Sequence, residues 1–161
     1  MIGAKKSDAS CVSYELEIEI LASRERVWEA IFDETNLWWL PDFHMVGSGS
    51  VVTFDPVPGG SGLVERLENG GGLLWYDVQF CLPNDFKIYL VGHVAPDWGG
   101  PSVSHLKLAL NESEAGCVLS ITDAQHGNVD LKNVQSLQDG WAGLFTEGLK
   151  KFVEHGTCQN G

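Results

Sequence analysis

The stretch DLKNVQSLQDGWAGLFTEGLKKFVEH, from Asp130 to His155, constrains the fold more than any other. Leu131, Val134, Leu137, Trp141, Leu144, Phe145, Leu149, Phe152 and Val153 recur at steps of three and four, which is the spacing of one broad apolar face on an α-helix. A helix of about 24 residues is about 36 Å long, enough to lie across a whole sheet. Asp130 is placed to cap its first turn, and Val129 and Val134 stand at the spacing of a hydrophobic staple. Lys150, Lys151 and His155, followed by Gly156, mark its end. Gly140, Gly143 and Gly148 fall inside it, each costing roughly 1 kcal/mol relative to alanine. Either another backbone approaches there, or space is left open beneath the helix.

What such a helix covers is announced upstream. In YELEIEI, Tyr14, Leu16, Ile18 and Ile20 face one way and three glutamates the other, the pattern of a strand with one wet face. Ser23 is a plausible N-cap for a short helix over RERVWEAIFDE, and LWWLPDF forms a second short helix or turn ending before Pro41. From Ser50 to about Gly127, six short β-like runs are separated by clusters such as PVPGG, NGGG and PDWGGP, whose residues tolerate turn geometry. Consecutive hairpins predict antiparallel pairing. The expected architecture is therefore α+β: a seven-stranded curled antiparallel sheet, two short helices and a long C-terminal helix across it. Residues 1–12 and 157–161 are expected to be flexible segments flanking one domain, 13–156.

Composition excludes several functions. A net charge of −12 opposes nucleic acid and anionic membranes. No run approaches the roughly 20 apolar residues needed to span a bilayer, so membrane insertion is not expected. The N-terminal residues lack the apolar core of a signal peptide, and the four cysteines are scattered, which together predict a cytoplasmic protein with reduced thiols. Five histidines and four cysteines show no metal-ligand spacing, the glycine clusters lack the lysine of a phosphate loop, and no nucleophile elbow is present. No metal or cofactor is expected from these patterns, and they identify no catalytic residue.

The order of elements, together with VWEAIFDETNLWW, DPVPGG and WAGLFTEGLKKFVEH, resembles the START/polyketide cyclase/Bet v I-like superfamily (SRPBCC) over roughly residues 14–155. Within it the chain looks most similar to the branch resembling the C-terminal domain of activators of the heat-shock protein 90 ATPase. The resemblance implies a helix-grip fold with an apolar cavity between sheet and C-terminal helix. Its members bind lipids, steroids or polyketides, some are cyclases, and others assist chaperones. No catalytic motif runs through them, so no catalytic residue carries over.

Strict alternation would line the interior with Leu74, Tyr76, Val78, Phe80, Ile88, Leu90, Leu106, Leu108, Leu119 and Ile121, and would turn Trp75 to the other side of the sheet. On the last strand the same period aims Asp123 and Gln125 inward, where a carboxylate needs partners; His126 and Tyr76 are candidates. The candidate ligand residues are thus Tyr76, Val78, Phe80, Ile88, Leu90, Leu108, Ile121, Asp123 and Gln125 from the sheet, Trp141 and Phe145 from the helix, and Trp38, Trp39 and Phe43 at the rim. Trp98, among prolines and glycines, belongs to a loop. The leading reading is a binding or carrier domain for an apolar small molecule, with a pocket of roughly 300 Å³ or more. An interaction module assisting a chaperone ATPase, with a filled interior, and a cyclase or dehydratase using the same cavity are the alternatives.

Overall fold

The computed structural model describes residues 3–156. Seven strands, β1 (Ser10–Ile20), β2 (Val51–Phe54), β3 (Leu63–Arg66), β4 (Gly72–Leu82), β5 (Lys87–Val94), β6 (Ser102–Ser113) and β7 (Gly116–Gly127), form one sheet in the order β1-β7-β6-β5-β4-β3-β2. Every adjacent pair is antiparallel. The first strand begins at Ser10, which pairs with Gly127, so β1 takes in the last residues of the segment 1–12. The expected tail, 157–161, lies outside the described residues. Between the edge strands β1 and β2 run α1 (Arg24–Asp33), capped by Ser23 Oγ, and α2 (Thr35–Trp38).

The C-terminal rod is α3 (Leu131–Gly143), a π-helical segment (Leu144–Lys150) and α4 (Lys151–His155), rather than one uninterrupted α-helix. Asp130 caps it, accepting from the Asn133 backbone N–H at 2.7 Å. Val134, Trp141, Leu144, Phe145 and Leu149 are buried along its inner side. Leu131, at the first helical position, projects from the end of the stripe and is 75% exposed. Among the described residues, no helix is long and apolar enough to cross a membrane.

The helical glycines separate into different roles. A Cβ built on Gly148 would stand 2.4 Å from the carbonyl oxygen of Trp38, so this position is a close backbone approach between the rod and α2. A Cβ on Gly143 would meet nothing within 4 Å, and its φ of −63° is ordinary helix. Gly143→Ala should therefore raise stability by up to roughly 1 kcal/mol, whereas Gly148→Ala should lower it by about 1–3 kcal/mol through overpacking. Denaturant titration of both variants measures this, and shifts of the same sign would refute the distinction.

Candidate ligand cavity

Two irregularities in β4 decide what faces inward. The β3–β4 ladder pairs Leu63 with Tyr76 but Val64 with Leu74, leaving Trp75 as the extra residue of a bulge. The side-chain phase inverts there, so Trp75 and Tyr76 both turn to the interior, and their ring centroids lie 6.3 and 5.9 Å from that of Trp141. The strict alternation that placed Trp75 on the outer side is corrected by this bulge. A Cβ on Gly92 of β5 would lie 2.7 Å from both the Trp75 carbonyl and the Tyr76 ring, so the bulged backbone needs a glycine opposite it. The β4–β5 ladder slips again, from Val78–Leu90 to Phe80–Tyr89, and the phase inverts a second time. Phe80, expected in the cavity, is therefore on the outer face, 42% exposed and edge-on to Tyr89 at 5.3 Å.

Beneath α3 this arrangement leaves a cavity of about 230 Å³, below the expected 300 Å³ because three aromatic rings crowd into it. Its walls are Leu73 to Tyr76 of β4, Gly92 to Val94 of β5, Ser104 of β6, and Leu137 and Trp141 of α3. Met45 and Trp98, each 64% exposed, flank the opening, with Val46 beside Met45. A smaller space of about 160 Å³ adjoins it, sharing Val94, Trp98 and Leu137 and reaching Gln125.

The floor is polar. Asp123 is 1% exposed and accepts from Ser104 Oγ at 2.7 Å and Gln125 Nε2 at 2.9 Å. Tyr76 Oη lies 2.8 Å from Ser104 Oγ, so a chain of hydrogen bonds links the cavity wall to the carboxylate. The hydroxyl of Tyr14, whose residue pairs with Asp123 across β1 and β7, is buried beside that carboxylate. Burial and then the charge of Asp123 push the pKa of both tyrosines well above the phenol range. His126, a partner considered for Asp123, instead stacks on His105 with centroids 5.4 Å apart. The indole Nε1–H of Trp141 is likewise buried and faces the Tyr76 oxygen.

Of the candidate residues, only Tyr76 and Trp141 line the main cavity directly. Asp123 stands behind Ser104, and Gln125 reaches the adjoining space. Val78, Ile88, Leu90, Leu108 and Ile121 are packed core. Trp38, Trp39, Phe43 and Phe145 back the wall, with Trp39 on Trp75 at 5.6 Å, Phe145 on Trp141 at 5.6 Å, Trp38 on Phe145 at 5.9 Å and Trp39 Nε1 donating to the Phe43 carbonyl.

Sequence reasoning passed over the residue that fixes the rim. Glu65 is completely buried and receives four donors: Met45 N–H at 3.2 Å, Val46 N–H at 3.0 Å, Ser50 Oγ at 2.7 Å and Trp75 Nε1 at 3.1 Å. It ties the loop bearing Met45 to the bulged tryptophan. The signal was present, since alternation from Leu63 points Glu65 inward. Desolvation pushes its pKa up, but the hydrogen bonds, from Val46 foremost, outweigh this and hold it below the ordinary 4.5. A depressed carboxylate contributes stability that is present above its unfolded value and is lost as pH falls through its folded value. Wild-type stability should therefore fall below about pH 4.5 more steeply than that of Glu65→Gln. At neutral pH this variant, whose amide sets a donor against donors, should lose about 2–4 kcal/mol. Parallel acid profiles of the two proteins would refute the assignment.

No protein-family model matches the chain, and no curated protein sequence matches it. Solved structures do match in three dimensions. Mll3558 from Rhizobium loti aligns with a TM-score of 0.64 and 22% identity, over 87% of this chain and 96% of that one. SSP2350 from Staphylococcus saprophyticus aligns with a TM-score of 0.62 and 18% identity, over 93% and 97%. DynU16, from the dynemicin biosynthetic locus, aligns with a TM-score of 0.62 and 16% identity, over 91% of this chain and 48% of that one. At such identities the likeness establishes a shared fold, the curled antiparallel sheet with a long C-terminal helix across it.

Proposed function

We propose that this chain is a cytoplasmic binding or carrier protein for a small apolar molecule, in keeping with its resemblance to the SRPBCC superfamily. The observation that carries the reading is the open apolar cavity of about 230 Å³ under α3, with its rim tied by Glu65. A cavity of about 150 Å³ accepts benzene, so this one suits a molecule of one or two rings and is too small to enclose a steroid. Net charge of −12 favours a neutral guest over an anionic one. The free thiols of Cys11, Cys81 and Cys117 suit a reducing compartment.

An open interior favours this reading over a module assisting a chaperone ATPase, for which a filled core was expected. The polar floor is the observation that favours the cyclase-type alternative. Tyr76, however, holds its proton firmly because burial and Asp123 raise its pKa, which suits positioning a ligand better than transferring protons. One- and two-ring arenes near a hundredfold excess over their Kd should raise Tm by about 5–10 °C, while nucleotides leave it unchanged. Val94→Phe, which fills the shared wall, should fold and lose the shift. A response to nucleotides alone, or none to arenes, would overturn the reading.

A further inference from the structure

On the outer face of the sheet, away from the cavity, two imidazoles meet. His105 of β6 and His126 of β7 are both exposed, and their Nε2 atoms stand 3.3 Å apart. The ring planes are within 18° of parallel and the centroids are 5.4 Å apart, so the rings face each other through their Nε2 ends. The pair is diagonal in the ladder, with His105 opposite Ala124 and His126 opposite Val103. The other diagonal thus carries two short apolar side chains, which offer the imidazoles no competing donor or acceptor. The two strands pair without interruption from Ser102–Gly127 to Ser113–Gly116, which fixes both Cα positions. Lys107, the next outward residue on β6, turns its ammonium towards β5, 5.5 Å from the centre of the Tyr89 ring, and away from β7.

A tetrahedral ion about 2.0–2.1 Å from each nitrogen holds two of them about 3.3 Å apart. That is the separation already present. Imidazole suits zinc, copper and nickel, whereas magnesium and calcium prefer oxygen ligands. We propose that His105 and His126 form a chelating site for a divalent transition-metal ion of the zinc type, bound through both Nε2 atoms. In the free protein one Nε2–H donates to the other nitrogen. On binding, that ring carries its proton on Nδ1 instead, and both Nε2 lone pairs turn to the ion. The net charge of −12 favours a cation. Among the described residues no group of three His, Cys, Asp or Glu is placed to hold a metal, so the ion keeps two positions for water. His126 also lines a shallow cleft of about 380 Å³ with His93, Trp98 and Pro101, which puts the ion at the edge of that cleft. The histidines are 21 residues apart, so the site is a product of strand pairing and not of a linear motif.

Isothermal titration calorimetry of the full chain, with thiols reduced, against zinc chloride and magnesium chloride tests this. The expected result is one zinc ion bound with a Kd of about 10 µM, and no binding of magnesium. His105→Ala and His126→Ala should each weaken zinc binding about tenfold or more. Both side chains are exposed, so the variants keep the fold. Cys11, opposite His126 on β1, and His93 are the neighbouring ligand types on this face, and Cys11→Ser and His93→Ala should leave zinc affinity unchanged. Absence of zinc binding by the wild-type protein, binding that survives both single histidine substitutions, or binding lost in Cys11→Ser or His93→Ala overturns the site.

Discussion

At Trp75 the ladder between β3 and β4 slips by one residue, and the interior is organised around that slip. A regular strand alternates faces, so two successive side chains cannot both point inward unless one is inserted as a bulge. With the bulge, Trp75 and Tyr76 stand together under Trp141. Gly92 on β5 gives the bulged backbone room, since any Cβ there would collide with it. The second slip, at Gln79, restores the pairing phase and throws Phe80 outside. The cavity thus arises from ladder geometry as much as from the choice of apolar residues.

Two buried carboxylates stabilise opposite sides of this interior by different means, and neither relies on a close lysine or arginine. Glu65 meets four hydrogen-bond donors, two of them backbone amides of the rim, so its charge is dispersed over fixed dipoles. Asp123 meets two side-chain donors, with two tyrosines held neutral beside it. A charge satisfied by backbone amides fixes where the chain runs. One satisfied by side chains, the Ser104 hydroxyl and the Gln125 amide, fixes which way those groups point. The first arrangement builds the mouth of the cavity and the second orients its floor.

Much of the architecture was legible because it depends on periodicities that one strand or helix displays alone. The three-and-four spacing from Val134 to Leu149 and the alternation from Cys117 to Gln125 both correspond to buried faces. The inward aim of Asp123 followed from the same period. The wall of the cavity was less legible. Trp75 and Phe80 were placed on the wrong faces because a bulge is a property of two paired strands, and nothing in GLLWYDVQFCL marks the inserted residue. Glu65 and Ser104 did carry a signal, since alternation from Leu63 and from Leu106 aims them inward. They were passed over because a polar residue in a short strand is ordinarily read as its wet side. The π-helical turn at Leu144–Lys150 likewise has no counterpart in the spacing of apolar residues.

Leaving such a space open is expensive, and the walls show how collapse is resisted. Sealed and dry, a cavity of about 230 Å³ would cost on the order of 5 kcal/mol at roughly 24 cal/mol per Å³, comparable with the whole stability of a small domain. The opening past Met45 and Trp98 admits solvent and lowers that figure. Two of the three aromatic walls are also tethered through a polar atom, Trp75 by Nε1 to Glu65 and Tyr76 by Oη to Ser104, so neither ring can swing in to fill the space without breaking a buried hydrogen bond. Trp141 is held by ring contacts with Phe145, Tyr76 and Trp75, and its indole N–H is sealed beside the Tyr76 oxygen. It sits on α3 one turn before the π-helical segment, where the rod departs from regular geometry. The sheet side of the cavity is therefore held by buried hydrogen bonds to Glu65 and Ser104, and the helix side chiefly by ring packing.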